Sequence, residues 1–167
     1  YRVFFSEDNP QLVAFEALQN IYTKDDNILF VVAPKDGEVF TNKALSAVEE
    51  LTNKAWQIPC ATRVDSISNF QHTWADGDDL IVEDLVVDAG ELSPARLDYV
   101  RDVALNEPLL HDRLVSPEAH VTGVNVTFQL SEDSTLEIPA AVAAARQLAD
   151  EISAAYPDID IYSSGVV

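Results

Sequence analysis

Two stretches of this 167-residue chain repeat one order of elements, and that order limits its possible folds more than any motif does. In 28–67, the apolar, β-branched run Ile28 to Ala33 is closed by Pro34 and the turn-forming Asp36-Gly37, which reads as a buried strand. Thr41 then stands as a helix cap before Ala44, Val48, Leu51 and Ala55, which share one helical face. Pro59 follows, and the alternation from Ala61 to Ile67 predicts a second strand. In 121–162 the order returns. Val121 to Leu130 alternates with Val124, Val126 and Phe128 on one face, and Pro139 precedes a helical stripe of Ala141, Ala145, Leu148, Ile152 and Ala155. Pro157 ends that helix, and Ile159 to Tyr162 makes a last strand.

Crossover connections of this kind are right-handed, and two such units set side by side give a four-stranded sheet with both helices on one face. The expected fold is therefore α+β with a ferredoxin-like core, a duplicated split βαβ, in a single domain over 1–167. The other pieces are additions. Asn9 and Pro10 open a helix running to about Tyr22. Between the halves lies an insertion at 70–117: a hairpin from Phe70 to Val87 about the turn Ala75 to Asp79, a helix from Ser93-Pro94 carrying Leu97, Val100 and Ala104, and irregular chain from Pro108 to Pro117.

Charge excludes whole classes of partner. Ten Lys plus Arg against 29 Asp plus Glu leave a formal charge of −19, a surface that repels nucleic acid and anionic lipid. A length of 167 residues is enough to bury a real core without disulfides or metals, and 47% apolar residues is the proportion of an ordinary folded domain. The longest apolar run, Ile28 to Ala33, is far shorter than the roughly twenty residues that cross a bilayer. The chain contains no Met and opens on Tyr1, so a processed chain or an excised piece is expected.

Motifs for bond-making chemistry are missing or out of order. His72, His111, His120 and Cys60 show no ligand spacing, so no metal site is expected. Asp76-Gly-Asp-Asp79 with Glu83 and Asp84 lacks the order of a calcium loop and reads as a solvated hairpin tip. No family signature surrounds Cys60, Ser163-Ser-Gly165 is not a nucleophile elbow, and there is neither a P-loop nor G-x-G-x-x-G. No catalytic residue and no cofactor are assigned. Asn125-Val-Thr127 fits the glycosylation pattern but falls in a predicted strand. One stripe stands apart: Phe70, His72 and Trp74 alternate onto one strand face, either as core or as the wall of an apolar cleft. Asn69 and Asn106 either line the same cleft or cap turns.

Several segments carry a resemblance. They are Phe5 to Pro10, Tyr22 to Val32, Thr62-Arg-Val-Asp65, Asn69-Phe-Gln-His-Thr73, Val82-Glu-Asp-Leu85, Leu105 to Leu110, Arg113-Leu-Val-Ser116 and Val124-Asn-Val126. Together they resemble the first large extracytoplasmic loop of bacterial exporters of the resistance-nodulation-division superfamily, in the hydrophobe/amphiphile branch related to MMPL and Patched-type transporters. The resemblance implies a porter domain built of βαβ units, on the periplasmic side of the inner membrane, cut from between transmembrane helices. It implies outward passage of hydrophobic or amphipathic molecules, lipids or drugs, driven by protons. It also implies partners: the parent's transmembrane helices, a second porter loop and further copies of the parent. Proton-coupling residues lie in membrane helices that this chain lacks. On this reading the domain is not an enzyme, Cys60 is buried, and the acidic exterior favours amphiphiles with cationic heads. The alternatives are a free-standing periplasmic ligand-binding or adaptor protein and, more remotely, a small hydrolase.

Overall fold

The alternation of Asn27–Pro34 (β1) sets the architecture: Ile28, Phe30 and Val32 are buried, and Leu29, Val31 and Ala33 are half-buried on the opposite face. A strand covered on both faces belongs in the middle of a sheet. In the computed structural model, which describes residues 9–21, 26–130 and 136–166, β1 pairs antiparallel with two neighbours, β5 (Thr122–Phe128) and β6 (Ile159–Val166). β2 (Ala61–Asp65) adds to the far side of β5, so the order is β2-β5-β1-β6, with every neighbouring pair antiparallel. The protein is α+β. The remaining elements are α1 (Pro10–Ile21), α2 (Asn42–Ala55), the hairpin β3 (Gln71–Asp76) and β4 (Asp79–Asp84), α3 (Pro94–Asn106) and α4 (Glu137–Ala155). No described helix is long and apolar enough to cross a membrane.

Local chemistry starts the helices. Thr41 Oγ1 accepts from the Ala44 N–H at 3.1 Å, Ser93 Oγ accepts from the Arg96 N–H, and Asn9 Oδ1 accepts from the Gln11 and Leu12 N–H groups. Both α2 and α4 pack on one face of the sheet. Ala44, Ala47, Val48, Leu51 and Ala55 of α2 meet Ala141, Ala145, Leu148 and Ile152 of α4 over Phe30, Val64, Val126 and Phe128. The alanines let two helices and a sheet share one layer of larger side chains.

A second core lies beside the first. Leu45, on another stripe of α2, is fully buried with Val39, Ile67, Leu85, Ala89, Val100, Ala104, Leu110 and Val115, most of them from the chain between β2 and β5. Two sets of side-chain hydrogen bonds join the layers. The Glu49 carboxylate accepts from the Asp88 and Ala89 N–H groups, holding Asp88 in the left-handed region at φ 53°. Thr52, Ser66 and Ser68, all buried, bond through their hydroxyls at 2.8–3.2 Å.

Some boundaries differ from the sequence expectation. The helix expected to reach Tyr22 is described to Ile21, and Tyr22 lies outside the described residues, as does the segment Phe5 to Asp8. β2 stops at Asp65, because Asn69 Oδ1 accepts from the Ser66 N–H while its Nδ2 donates to the Val64 carbonyl. That turn sends Ile67 into the second core instead of the sheet. α4 starts before Pro139, whose missing N–H falls in the first turn, where helical N–H groups have no partner anyway. β6 runs past Tyr162 to Val166, opposite Asn27 to Phe30. Gly165 makes this possible: a Cβ there would stand 2.2 Å from the Asn27 carbonyl oxygen.

One polar cluster ties the end of α4 to α2. The Tyr156 hydroxyl donates to Glu50 at 2.9 Å, and Lys54 pairs with Glu50 at 2.7 Å and with Glu151 at 2.5 Å. Burial, and then the bond to Glu50, push the Tyr156 phenol from 10.0 up to about 12. Lys54, and then Tyr156, hold the Glu50 carboxyl below its ordinary value. An acid with a raised folded pKa keeps its proton longer when folded, so its contribution is present below the unfolded value and is lost as pH climbs from about 10 towards about 12. Phenolate absorbance should show this one tyrosine titrating late. In Glu50→Gln, which removes the facing carboxylate, it should move back towards 10.0. An unchanged titration in that variant would contradict the contact.

Candidate functional site

The helix-free face of the sheet is where side chains are left without a packing layer of their own. Alternation puts Asn27 and Leu29 of β1, Arg63 and Asp65 of β2, and Gly123 and Asn125 of β5 on that face. Opposite them runs the irregular chain after α3. It is anchored to β5 because the Leu114 carbonyl accepts both the Gly123 N–H and the Thr122 hydroxyl, each at 2.7 Å. Gly123 has a packing reason. A Cβ there would lie 2.9 Å from Leu29 Cδ1 and 3.6 Å from Leu114 Cδ2, so its bareness lets these two leucines close over the strand.

Between these surfaces opens a cleft of about 440 Å³. Its apolar lining is Leu29, Phe70, Leu109, Leu110 and Leu114. Its polar groups are Asn27 and Asn125, bonded to each other at 2.9 Å, together with Ser66, Arg113 and the pair Arg63–Asp65 at 2.7 Å. Small-molecule sites are concave, with apolar walls and polar groups that fix orientation, and their volumes start near 300 Å³; this cleft is concave and large enough, and more polar than most, with five apolar and six polar residues in its lining. Leu109 is 59% exposed at the rim, an apolar surface already placed to meet a ligand.

In two other hollows the charges answer one another. The one of about 440 Å³ at the start of α2 is ringed by Lys35, Lys43 and Asp158, where Lys43 pairs with Asp158 and Lys35 donates to the Pro157 carbonyl. The groove between α2 and α4 is closed by the Lys54–Glu151 pair. Among the described residues, no group of three His, Cys, Asp or Glu side chains stands close enough to hold a metal. Cys60 is half-buried against the first core, with a left-handed backbone at φ 64°.

Of the five residues singled out in the sequence, the cleft contains Phe70 alone. His72 and Trp74 stack on each other with centroids 5.5 Å apart and face α3, where His72 Nε2 lies 2.8 Å from the Tyr99 hydroxyl. Arg96 covers the same Tyr99 ring at 4.8 Å while bonding Glu83. That stripe glues the hairpin to α3. Asn69 is consumed by the turn after β2, and Asn106 is exposed and bonds back to Asp102 at the end of α3. Both amides serve the backbone and not the cleft.

Sequence reasoning passed over Asn27, Leu29, Arg63, Arg113, Leu114 and Asn125 as site residues. A signal for them existed. Every lining residue except Ser66 falls in a segment that carries the resemblance noted above, although those segments lie as far apart as Asn27 and Asn125. What the arrangement offers chemically is binding: apolar walls, two amides, two guanidiniums and a carboxylate already paired. Compared with models of known protein families the chain matches none, and no curated protein matches it.

Proposed function

We propose that the chain is a periplasmic porter domain of a proton-driven exporter of the resistance-nodulation-division superfamily, in the hydrophobe/amphiphile branch related to MMPL transporters. One observation carries the reading. Six of the eight segments noted for their likeness to that family, scattered from Asn27 to Asn125, contribute residues to one cleft with an apolar wall and a polar one, the feature a pathway for amphipathic molecules requires. The strand order supports a ferredoxin-like core for the same domain: β5 lies between β1 and β2, and β1 lies between β5 and β6, as two interleaved βαβ units demand. In this reading the domain makes and breaks no bonds. It holds a hydrophobic or amphipathic molecule on its way outward, while the parent's membrane helices supply the proton coupling, and a second porter loop and further copies of the parent complete the path.

The coding sequence around the domain tests this directly. Apolar runs of about twenty residues are expected beyond both Tyr1 and Val167. A stop codon directly after Val167 with a secretion leader directly before Tyr1 would overturn the proposal and leave a free-standing periplasmic ligand-binding or adaptor protein.

A further inference from the structure

The formal charge of −19 argues for cationic ligands, yet the cleft departs from that average. Only ten basic residues are spread over the chain, and two of them, Arg63 and Arg113, line this one cavity. Arg63 gives its Nε–H to Asp65 and keeps the remaining donors of its fork for another acceptor. Arg113 is exposed, and no carboxylate pairs with it among the described residues. Its neighbour Asp112 lies 3.7 Å from His111. The cleft therefore carries two guanidiniums against one carboxylate, beside an apolar wall of Leu29, Phe70 and Leu114.

We infer that this cleft takes a single-chain amphiphile with an anionic head, its tail against Leu29, Phe70 and Leu114 and its carboxylate on Arg113 and the free edge of Arg63. The inference rests on the porter reading and names the substrate class for the same site. A planar carboxylate matches the guanidinium fork with paired, charge-assisted hydrogen bonds, an interaction a quaternary ammonium has no means to make. The acidic exterior acts at longer range. At about 0.15 M salt the screening length is about 8 Å, so the charges in contact with the head outweigh the remote carboxylates.

The test compares dodecanoate, dodecanol and dodecyltrimethylammonium at neutral pH and physiological salt, below micelle formation. Calorimetry gives affinity, and methyl NMR of Leu29, Leu109 and Leu114 gives the site. Dodecanoate is expected to bind about tenfold more tightly than the cationic chain, and Arg113→Gln should weaken it by about tenfold while leaving dodecanol unchanged. Arg146→Gln, which makes the same change in net charge on α4 outside this cleft, should leave dodecanoate binding as it was. Equal or tighter binding of the cationic chain, or no effect of Arg113→Gln, overturns the headgroup assignment while the cleft stands. If none of the three compounds shifts the leucine methyls, the cleft itself is refuted as a site, and the headgroup assignment falls with it.

Discussion

Phe30→Ala is expected to destabilise the protein by about 3–5 kcal/mol, among the largest losses from a single truncation of the sheet. Phe30 is fully buried at the middle of the central strand, opposite Val124 on one side and Ser163 on the other, and it packs beneath both α2 and α4. Its ring fills the layer that the alanines of the two helices leave open, and neither helix can collapse into the vacancy without leaving the other. The adjacent residue is the control. Leu29 points to the opposite face and is half-buried at the cleft, so Leu29→Ala should cost clearly less, about 1–2 kcal/mol. Urea denaturation of both variants checks the pair. Because a one-residue slip of β1 would exchange the two faces, equal losses or a reversed order would contradict the strand register as well as the core.

Much of this architecture was legible because it rests on local pattern. The caps at Asn9, Thr41 and Ser93 and the stripes of α2 and α4 are local, although Ala155 at the end of the expected α4 stripe is exposed, and the alternation of Val124, Val126 and Phe128 names the buried face of β5 outright. What escaped needs distant partners. Ile67 reads as the end of the strand that starts at Ala61, and it is the side chain of Asn69, bonded to Ser66 and Val64, that ends the strand earlier. Ser163 to Gly165 have little strand propensity of their own, yet they pair because β1 offers an open edge and Gly165 tolerates its closeness. The cleft was hidden for the same reason. Ile28 to Ala33 looks uniformly apolar, so nothing local separates Leu29 on the open face from Phe30 beneath the helices. Arg63 and Arg113 become neighbours of one cavity only once β2 and the chain after α3 are folded against β1 and β5.

The stripe Ala44, Val48, Leu51 and Ala55 also leaves out Leu45, and Leu45→Ala is the second variant with a large expected effect. The side chain is fully buried, in the second core rather than the first, so its truncation should cost about 2–5 kcal/mol without touching the sheet. α2 is thus a wall shared by two cores, and the two variants should fail differently. In Leu45→Ala, hydrogen exchange is expected to speed up at Val100 and Ala104 of α3 and at Leu110 and Val115, while Phe30 and Val124 in the sheet stay protected. In Leu51→Ala, which opens the first core, the sheet amides should lose protection as well. Equal acceleration in the sheet and in α3 for Leu45→Ala would mean that the molecule opens as one unit and that the second core has no independence. The distinction reaches the cleft. Its floor belongs to the sheet, whereas Leu110 in the wall opposite is part of the second core. Leu45 does not line the cleft, so weaker ligand binding in Leu45→Ala would arise through that wall, which is the coupling the proposed porter function needs if the cleft is to open and close.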